Sequence, residues 1–169
     1  MTLYTSYDNV LTEEEHILCY NDLRYGTNWE FSQVSSKEKD GFYFWYNELT
    51  DKPFYTETFF NRIKQLTGKE FLLKRVYANG QTYGLPGDLH VDSNDDSSYT
   101  FLYYVNPYWD VMWGGATIIT DIDKYTSIIP RPNTAIIFKG NTLHAGMEPT
   151  RNCKELRITI AFKLTCLEK

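Results

Sequence analysis

A mainly β core with N-terminal helices is the fold class that this sequence predicts. Three observations predict it. Residues 70 to 165 break into short β-rich runs separated by Gly, Pro, Asn and Asp. The gaps between those runs are too short for crossover helices, which excludes a helical α/β fold. Both clear helical patterns fall before residue 70.

In the front part, Thr12 with Glu15 three residues later reads as a capping box opening a helix near residues 12–22. Tyr55, Phe59, Ile63 and Leu66 recur at helical spacing and give one apolar face, so a second helix is expected over 55–67, with Gly68 as its stop. Between them, Phe42-Tyr43-Phe44-Trp45-Tyr46 is aromatic and fits either a strand or a helix. Eight β runs follow: Phe71–Tyr77, Leu89–Val91, Tyr99–Asn106, Gly115–Thr120, Tyr125–Pro130, Thr134–Phe138, Leu143–Met147 and Leu156–Leu164. Eight short strands after a helical segment predict a jelly-roll type of double-stranded sheet with the helices packed on one outer face.

Alternation assigns faces to the last run. Leu156, Ile158, Ile160 and Phe162 share one side, and Arg157, Thr159, Ala161 and Lys163 share the other. The apolar side is expected to meet the helices. The second side either lines a ligand space inside the sandwich or leaves Arg157 facing solvent on an edge strand; alternation alone leaves both open.

The length of 169 residues predicts one domain, with 1–69 a helical and mixed support region and 70–165 the jelly-roll core. There is no internal repeat, low-complexity tract or linker. The 14 Tyr, 10 Phe and 4 Trp suit a β core or an aromatic-lined pocket. A net charge of −5 argues against a nucleic-acid groove. No apolar run approaches the ~20 residues of a membrane span. Met1-Thr2-Leu3-Tyr4 lacks signal-peptide features. Cys19, Cys153 and Cys166 form no CxxC pair and read as free thiols in a reducing cytoplasm. A monomer or weak homodimer is expected.

The most informative side chains are His90, Asp92 and His144. His90 and Asp92 stand two apart, so on an extended strand they point the same way. His144 follows 52 residues after Asp92 and is expected on a facing strand. Two imidazoles and one carboxylate on one side of a metal form the facial triad of non-haem Fe(II) oxygenases, leaving the opposite side open. Zinc is a competitor by ligand type, but the HExxH helix of zinc proteases is absent. Arg157, 13 residues after His144, could supply a fixed positive charge for an acidic co-substrate. Gly114-Gly115 reads as a turn or bulge, Trp109 and Trp113 as packing, and Asp95 and Asp96 as caps of a solvated loop.

Around these residues the segments His90-Val91-Asp92, Leu102-Tyr103-Tyr104-Val105-Asn106, Trp113-Gly114-Gly115-Ala116, Ile129-Pro130-Arg131-Pro132, Ile136-Ile137-Phe138, His144-Ala145-Gly146 and Arg157-Ile158-Thr159-Ile160 occur in order. In that order and spacing the chain resembles the prolyl 4-hydroxylase-like branch of the Fe(II)/2-oxoglutarate-dependent dioxygenases over about residues 70–165. The resemblance implies a double-stranded β-helix (jelly-roll, cupin-like). It implies Fe(II), 2-oxoglutarate and O₂ as cofactors, with ascorbate as an accessory. The implied iron ligands are His90, Asp92 and His144. Arg157 is matched to the residue that pairs with the distal carboxylate of 2-oxoglutarate, and Tyr103 to a tyrosine bonding the same carboxylate. Tyr77 and Thr159 are further pocket candidates. The gap from His144 to Arg157 is a few residues longer than the family's usual one, so Pro149 to Lys154 is expected to form an enlarged hairpin, with Lys154 as the fallback carboxylate partner. The implied reaction is hydroxylation with release of succinate and CO₂, first of a prolyl residue in a peptide or protein. A free amino acid or small metabolite is the alternative substrate. A non-catalytic jelly-roll that binds a metal or ligand is the competing class. A peptide substrate predicts an open groove rimmed by residues 78–88 and 106–114, whereas a metabolite predicts a closed pocket.

Overall fold

The computed structural model describes residues 3–26, 28–35, 41, 43–121 and 124–167. Among these, ten strands and two α-helices follow in the order β1 (Thr5–Asp8), α1 (Glu13–Tyr25), β2 (Glu30–Gln33), β3 (Phe44–Glu48), α2 (Phe60–Thr67), β4 (Phe71–Gln81), β5 (Ser98–Tyr104), β6 (Thr117–Asp121), β7 (Lys124–Ile128), β8 (Thr134–Lys139), β9 (Leu143–Gly146) and β10 (Arg157–Cys166). A seven-stranded sheet in the order β1-β8-β5-β10-β4-β3-β2 faces a three-stranded sheet in the order β7-β6-β9. All pairings are antiparallel. This is the expected jelly-roll. No helix among the described residues is long and apolar enough to cross a membrane.

Both helices form for the reasons read from sequence. Thr12 Oγ1 accepts from the Glu15 amide, and the Thr12 amide donates back to Glu15 Oε2, completing the capping box of α1. Gly68 ends α2 in the left-handed conformation at φ 64°, where a side chain would be strained. A π-helical turn, Phe54–Phe59, leads directly into α2.

The front region departs from its expected helical character. It supplies three strands of the large sheet: β1 on one edge, and β3 and β2 on the other. Residues 44–46 of the ambiguous aromatic segment are strand, continuing to Glu48; Phe42 lies outside the described residues. Conversely, the expected strand Leu89–Val91 is reduced to one bridge, His90 against His144. That bridge extends the small sheet beyond β9.

The large sheet separates two apolar groups. Val76, Ala78, Phe101, Tyr103, Val105, Ile158, Ile160 and Phe162 pack beneath Leu23, Phe59 and Ile63 of the helical layer. Tyr77, Leu102, Tyr104, Ile136, Phe138 and Ala161 face the other way, towards Ile119 of the small sheet. At roughly 25 cal/mol per Å² of apolar surface, the helix-side cluster is the main stabiliser of the fold. The space between the sheets is left for polar groups.

Candidate metal centre

His90 and Asp92 come from the segment before β5, and His144 from β9. Reciprocal backbone bonds of 3.0 and 2.9 Å lock His90 against His144. The Asp92 amide is held by Gly140 O at 2.8 Å. Gly140 has no room for a side chain, since a Cβ there would lie 2.7 Å from Ser98 Oγ. One potential ligand atom from each of His90, Asp92 and His144 falls within 4.8 Å of the others. The two imidazole centroids are 4.4 Å apart.

The protonation pattern fits a divalent metal. His90 Nδ1 lies 2.8 Å from Asp88 O, and His144 Nδ1 lies 2.8 Å from Thr142 O. A carbonyl only accepts, so each Nδ1 carries the proton and each Nε2 keeps its lone pair for a ligand role. Those Nε2 atoms stand 3.4 and 3.5 Å from the Asp92 carboxylate oxygens. Burial pulls His144 down to about 4 against the opposing pull of the Asp92 charge, keeping it neutral. Burial raises Asp92, but the Lys163 charge beside it outweighs burial and holds the carboxyl well below the ordinary carboxylate range. Thr100 Oγ1 donates to Asp92 Oδ2 at 2.5 Å, and Lys163 Nζ donates to the same oxygen. Two neutral imidazoles and a carboxylate are a donor set suited to Fe(II), with imidazole softness and one negative charge.

Arg157 lies in the same cavity, a space of about 510 Å³ that His90, Asp92 and His144 also line. It is 2% exposed, which excludes the edge-strand, solvent-facing alternative. Its Nε donates to Gly115 O at 2.5 Å, Nη1 to Gln81 Oε1 at 2.8 Å and Nη2 to Thr117 Oγ1 at 3.1 Å. All three acceptors are neutral. Burial therefore lowers the guanidinium to about 10, with only a small opposing contribution from Tyr104. A buried guanidinium without a carboxylate partner favours an incoming anion. Gly115 makes the approach possible: its φ is 67°, and a Cβ would meet Arg157 Cδ at 3.0 Å.

The other expected site residues divide. Tyr77 and Thr159 line the cavity. Tyr103 does not. It points to the helix side, fully buried against Phe59, and donates to Asn133 Oδ1 at 3.0 Å. The tyrosine on the cavity side is its neighbour Tyr104, which donates to Thr117 Oγ1 at 2.9 Å and so reaches the group that holds Arg157. Period-two alternation makes the one-residue difference decisive. Lys154 is exposed and absent from the cavity wall, so the fallback role does not fit its position. The expected hairpin does not form, because β9 and β10 belong to different sheets; the connection makes a turn at 151–152, with Gly114 bridging Pro149. The expected rim also changes: residues 106–114 do not line the cavity, while Gln33, Val34 and Ser35 do.

Sequence reasoning passed over Gln81, Thr100, Thr117 and Tyr104. Gln81 joins the two halves of the site, since its Nε2 donates to Gly146 O at 2.9 Å, two residues from His144, while its Oε1 holds Arg157. Asn79 Oδ1, also in the cavity wall, is buried without a hydrogen-bond partner. For Lys163 a signal existed: it shares the Arg157 face of its strand.

A jelly-roll carrying two imidazoles and a carboxylate between its sheets, with a buried cation further along the same cavity, defines a metal-dependent enzyme that takes an acidic co-substrate. The chain belongs to the 2OG-Fe(II) oxygenase superfamily, which matches residues 75–163. No curated protein matches it by sequence. Solved structures share the fold. A prolyl hydroxylase from Trichoplax adhaerens, in complex with a hypoxia inducible factor oxygen degradation domain peptide fragment, superposes at TM-score 0.72 with 15% identity, over 96% of this chain and 83% of the other. A Pseudomonas putida prolyl-4-hydroxylase gives 0.65 and 14%, over 96% and 92%. The viral collagen prolyl hydroxylase of Paramecium Bursaria Chlorella virus-1, as its 2OG complex, gives 0.65 and 18%, over 97% of each chain. Family membership implies a dioxygenase using Fe(II), 2-oxoglutarate and O₂.

Proposed function

We propose that the protein hydroxylates a prolyl residue in a peptide or protein, with His90, Asp92 and His144 as iron ligands and Arg157 as the anchor of 2-oxoglutarate. One observation carries the site assignment: a three-ligand donor set and a buried guanidinium with only neutral partners line the same cavity of about 510 Å³. That volume is within the range of small-molecule sites, and it admits a co-substrate together with one inserted side chain. The cavity reaches the surface at exposed Lys74 and Val91, which suits entry of a residue from a longer chain. Prolyl hydroxylases among the structures of like fold support the peptide reading.

Bound in that donor set, Fe(II) supplies O₂ activation coupled to decarboxylation of 2-oxoglutarate. The chain supplies position and environment. Arg157 fixes the distal carboxylate through its planar fork. Tyr104 orients Thr117, and Gln81 ties the guanidinium to the strand bearing His144. Leu102 and Phe138 narrow the cavity with apolar surface and exclude water around the reacting atoms. Ascorbate would keep the metal reduced, and the three free thiols support a reducing, cytoplasmic setting.

The test is succinate release by protein supplied with Fe(II), 2-oxoglutarate and ascorbate, followed by mass spectrometry of proline-containing peptides for the gain of one oxygen atom. Slow release without peptide and faster release with it are expected. Wild-type release by His144→Ala would refute the iron assignment.

A further inference from the structure

We propose that the substrate of this site carries an anionic group, selected by a cationic rim made of Lys74, Arg75 and Lys163. The inference rests on the oxygenase reading above and deepens it by naming the substrate's charge.

The rim is built by a local irregularity in β4. Lys163 pairs with Arg75, but Leu164 pairs with Leu73, so Lys74 is an extra residue without a partner on β10. In a regular strand, neighbours 74 and 75 would point to opposite faces. The bulge turns both towards the cavity, and both line it. Upstream and downstream the alternation is intact: Phe71 and Leu73 join the helix-side core, as do Val76 and Ala78, while Tyr77, Asn79 and Gln81 face the cavity. Thus two consecutive cations are presented at the end of the cavity that also holds Asp92, beside a third from β10.

Charge matching shows that these cations exceed what the co-substrate needs. A divalent metal and the Arg157 guanidinium together match the Asp92 carboxylate and the two carboxylates of 2-oxoglutarate. Asp92 is the one carboxylate side chain in the cavity wall among the described residues. Lys74, Arg75 and Lys163 then remain. Glu48 accepts from Arg75 Nε at 3.2 Å and offsets one of them. The Asp95 carboxylate lies within charge range of Lys74 and offsets a second, so one positive charge is left at the mouth of a protein whose net charge is −5. Such a local reversal of sign favours an anionic partner and disfavours a cationic one. The group is a carboxylate from an acidic residue close to the oxidised one in a peptide, or that of a free acid.

Binding can be measured without turnover, using protein loaded with Mn(II) and 2-oxoglutarate. Fluorescein-labelled peptides would carry one proline flanked by Glu, Gln or Lys, and anisotropy would give their affinities. The Glu peptide should bind about tenfold tighter than the Gln peptide and the Lys peptide more weakly still, with the gap closing between about 0.05 and 0.5 M salt. Lys74→Glu, a change at an exposed position, should reduce the preference several-fold, and Arg75→Gln should act in the same direction. Displacement of the Glu peptide by free glutamate at similar affinity would keep the anion site and assign it to a small acid. Equal affinity for Glu and Gln peptides at low salt, or no preference of any acidic over its neutral counterpart, would overturn the proposal. Substrate-free succinate release by the iron-loaded protein judges the oxygenase reading separately, because it does not depend on the rim's preference.

Discussion

Replacing Arg157 by Ala should raise the 2-oxoglutarate requirement by on the order of 100-fold. The magnitude follows from the burial of an uncompensated charge. Burial takes the guanidinium from its ordinary 12.5 to about 10. At about 1.4 kcal/mol per tenfold change in the proton equilibrium, the charged form is disfavoured by about 3 kcal/mol while only Gly115 O, Gln81 Oε1 and Thr117 Oγ1 surround it. A carboxylate arriving at the fork can recover that cost, and a 3 kcal/mol loss corresponds to roughly 150-fold in affinity. Arg157→Lys should fall between wild type and Ala, because an ammonium keeps the charge but cannot make the bidentate contact. The assay is substrate-free succinate release across a 2-oxoglutarate titration. Thermal unfolding without 2-oxoglutarate provides the control: removing an unpaired buried cation should cost less stability than deleting a paired one, despite the unpaired Gln81 Oε1. An unchanged 2-oxoglutarate requirement in Arg157→Ala would refute the assignment, and since Lys154 is outside the cavity, Lys163 would become the next cavity cation to test.

Other substitutions separate neighbouring roles. Tyr104→Phe removes the bond that orients Thr117 and should raise the 2-oxoglutarate requirement several-fold, whereas Tyr103→Phe should leave it unchanged and cost about 1 kcal/mol of stability through the lost bond to Asn133, as read by denaturant midpoints. Mn(II) at about 100 times its dissociation constant should stabilise the protein by about 2.7 kcal/mol, and His144→Ala should show no metal-dependent rise in melting temperature. Gly115→Ala, which combines a φ of 67° with a 3.0 Å approach to Arg157 Cδ, should cost roughly 1–3 kcal/mol of stability and weaken 2-oxoglutarate binding in the same titration. His16 is buried with Nε2 2.8 Å from Val105 O, and burial lowers its pKa below the ordinary 6.5. The neutral form is the one favoured in the fold, so its stabilisation is complete above about pH 6.5 and is lost as pH falls through 6.5 towards the lower folded value. Urea midpoints between those pH values should fall in wild type and fall less in His16→Gln.

The convergence of His90, Asp92 and His144 was more legible in the sequence than the fold around it. His90 and Asp92 are two apart, and facing residues separated by two on an extended backbone stay together whatever the remaining topology. The helices were legible because Thr12, Glu15 and Gly68 are local signals. The outer strands β1, β2 and β3 were less so, because their pairing is set by contacts far along the chain: Thr5 pairs with Ile137, and Trp45 with Gly80. Strand propensity depends on such neighbours more than on the residues themselves. The expected strand Leu89–Val91 failed for the opposite reason. Its apolar residues Leu89 and Val91 are 46% and 40% exposed, so they do not anchor a longer pairing, and only the His90–His144 bridge persists.

Phase is the property that sequence alternation leaves undetermined. In the Tyr103-Tyr104 pair both residues are aromatic, so composition cannot say which faces the ligand. The register does: Tyr103 pairs with Ile160 and Tyr104 with Thr159 across β5 and β10, and Ile160 belongs to the helix-side core. Since opposed residues share a face, Tyr104 must follow Thr159 and Arg157 to the cavity. The same logic explains why the cationic rim was hidden. A strict period of two places Lys74 with Val76 on the helix side, where a lysine would sit against apolar side chains. Only the skipped pairing between Lys163 and Leu164 returns it to the Arg75 side. A bulge changes the phase without leaving a mark in hydrophobicity, so the positions it re-aims are the ones that sequence periodicity assigns to the wrong face. Here those positions are cations at the mouth of the cavity, which is why the proposed preference for an anionic substrate rests on the paired structure and not on the pattern.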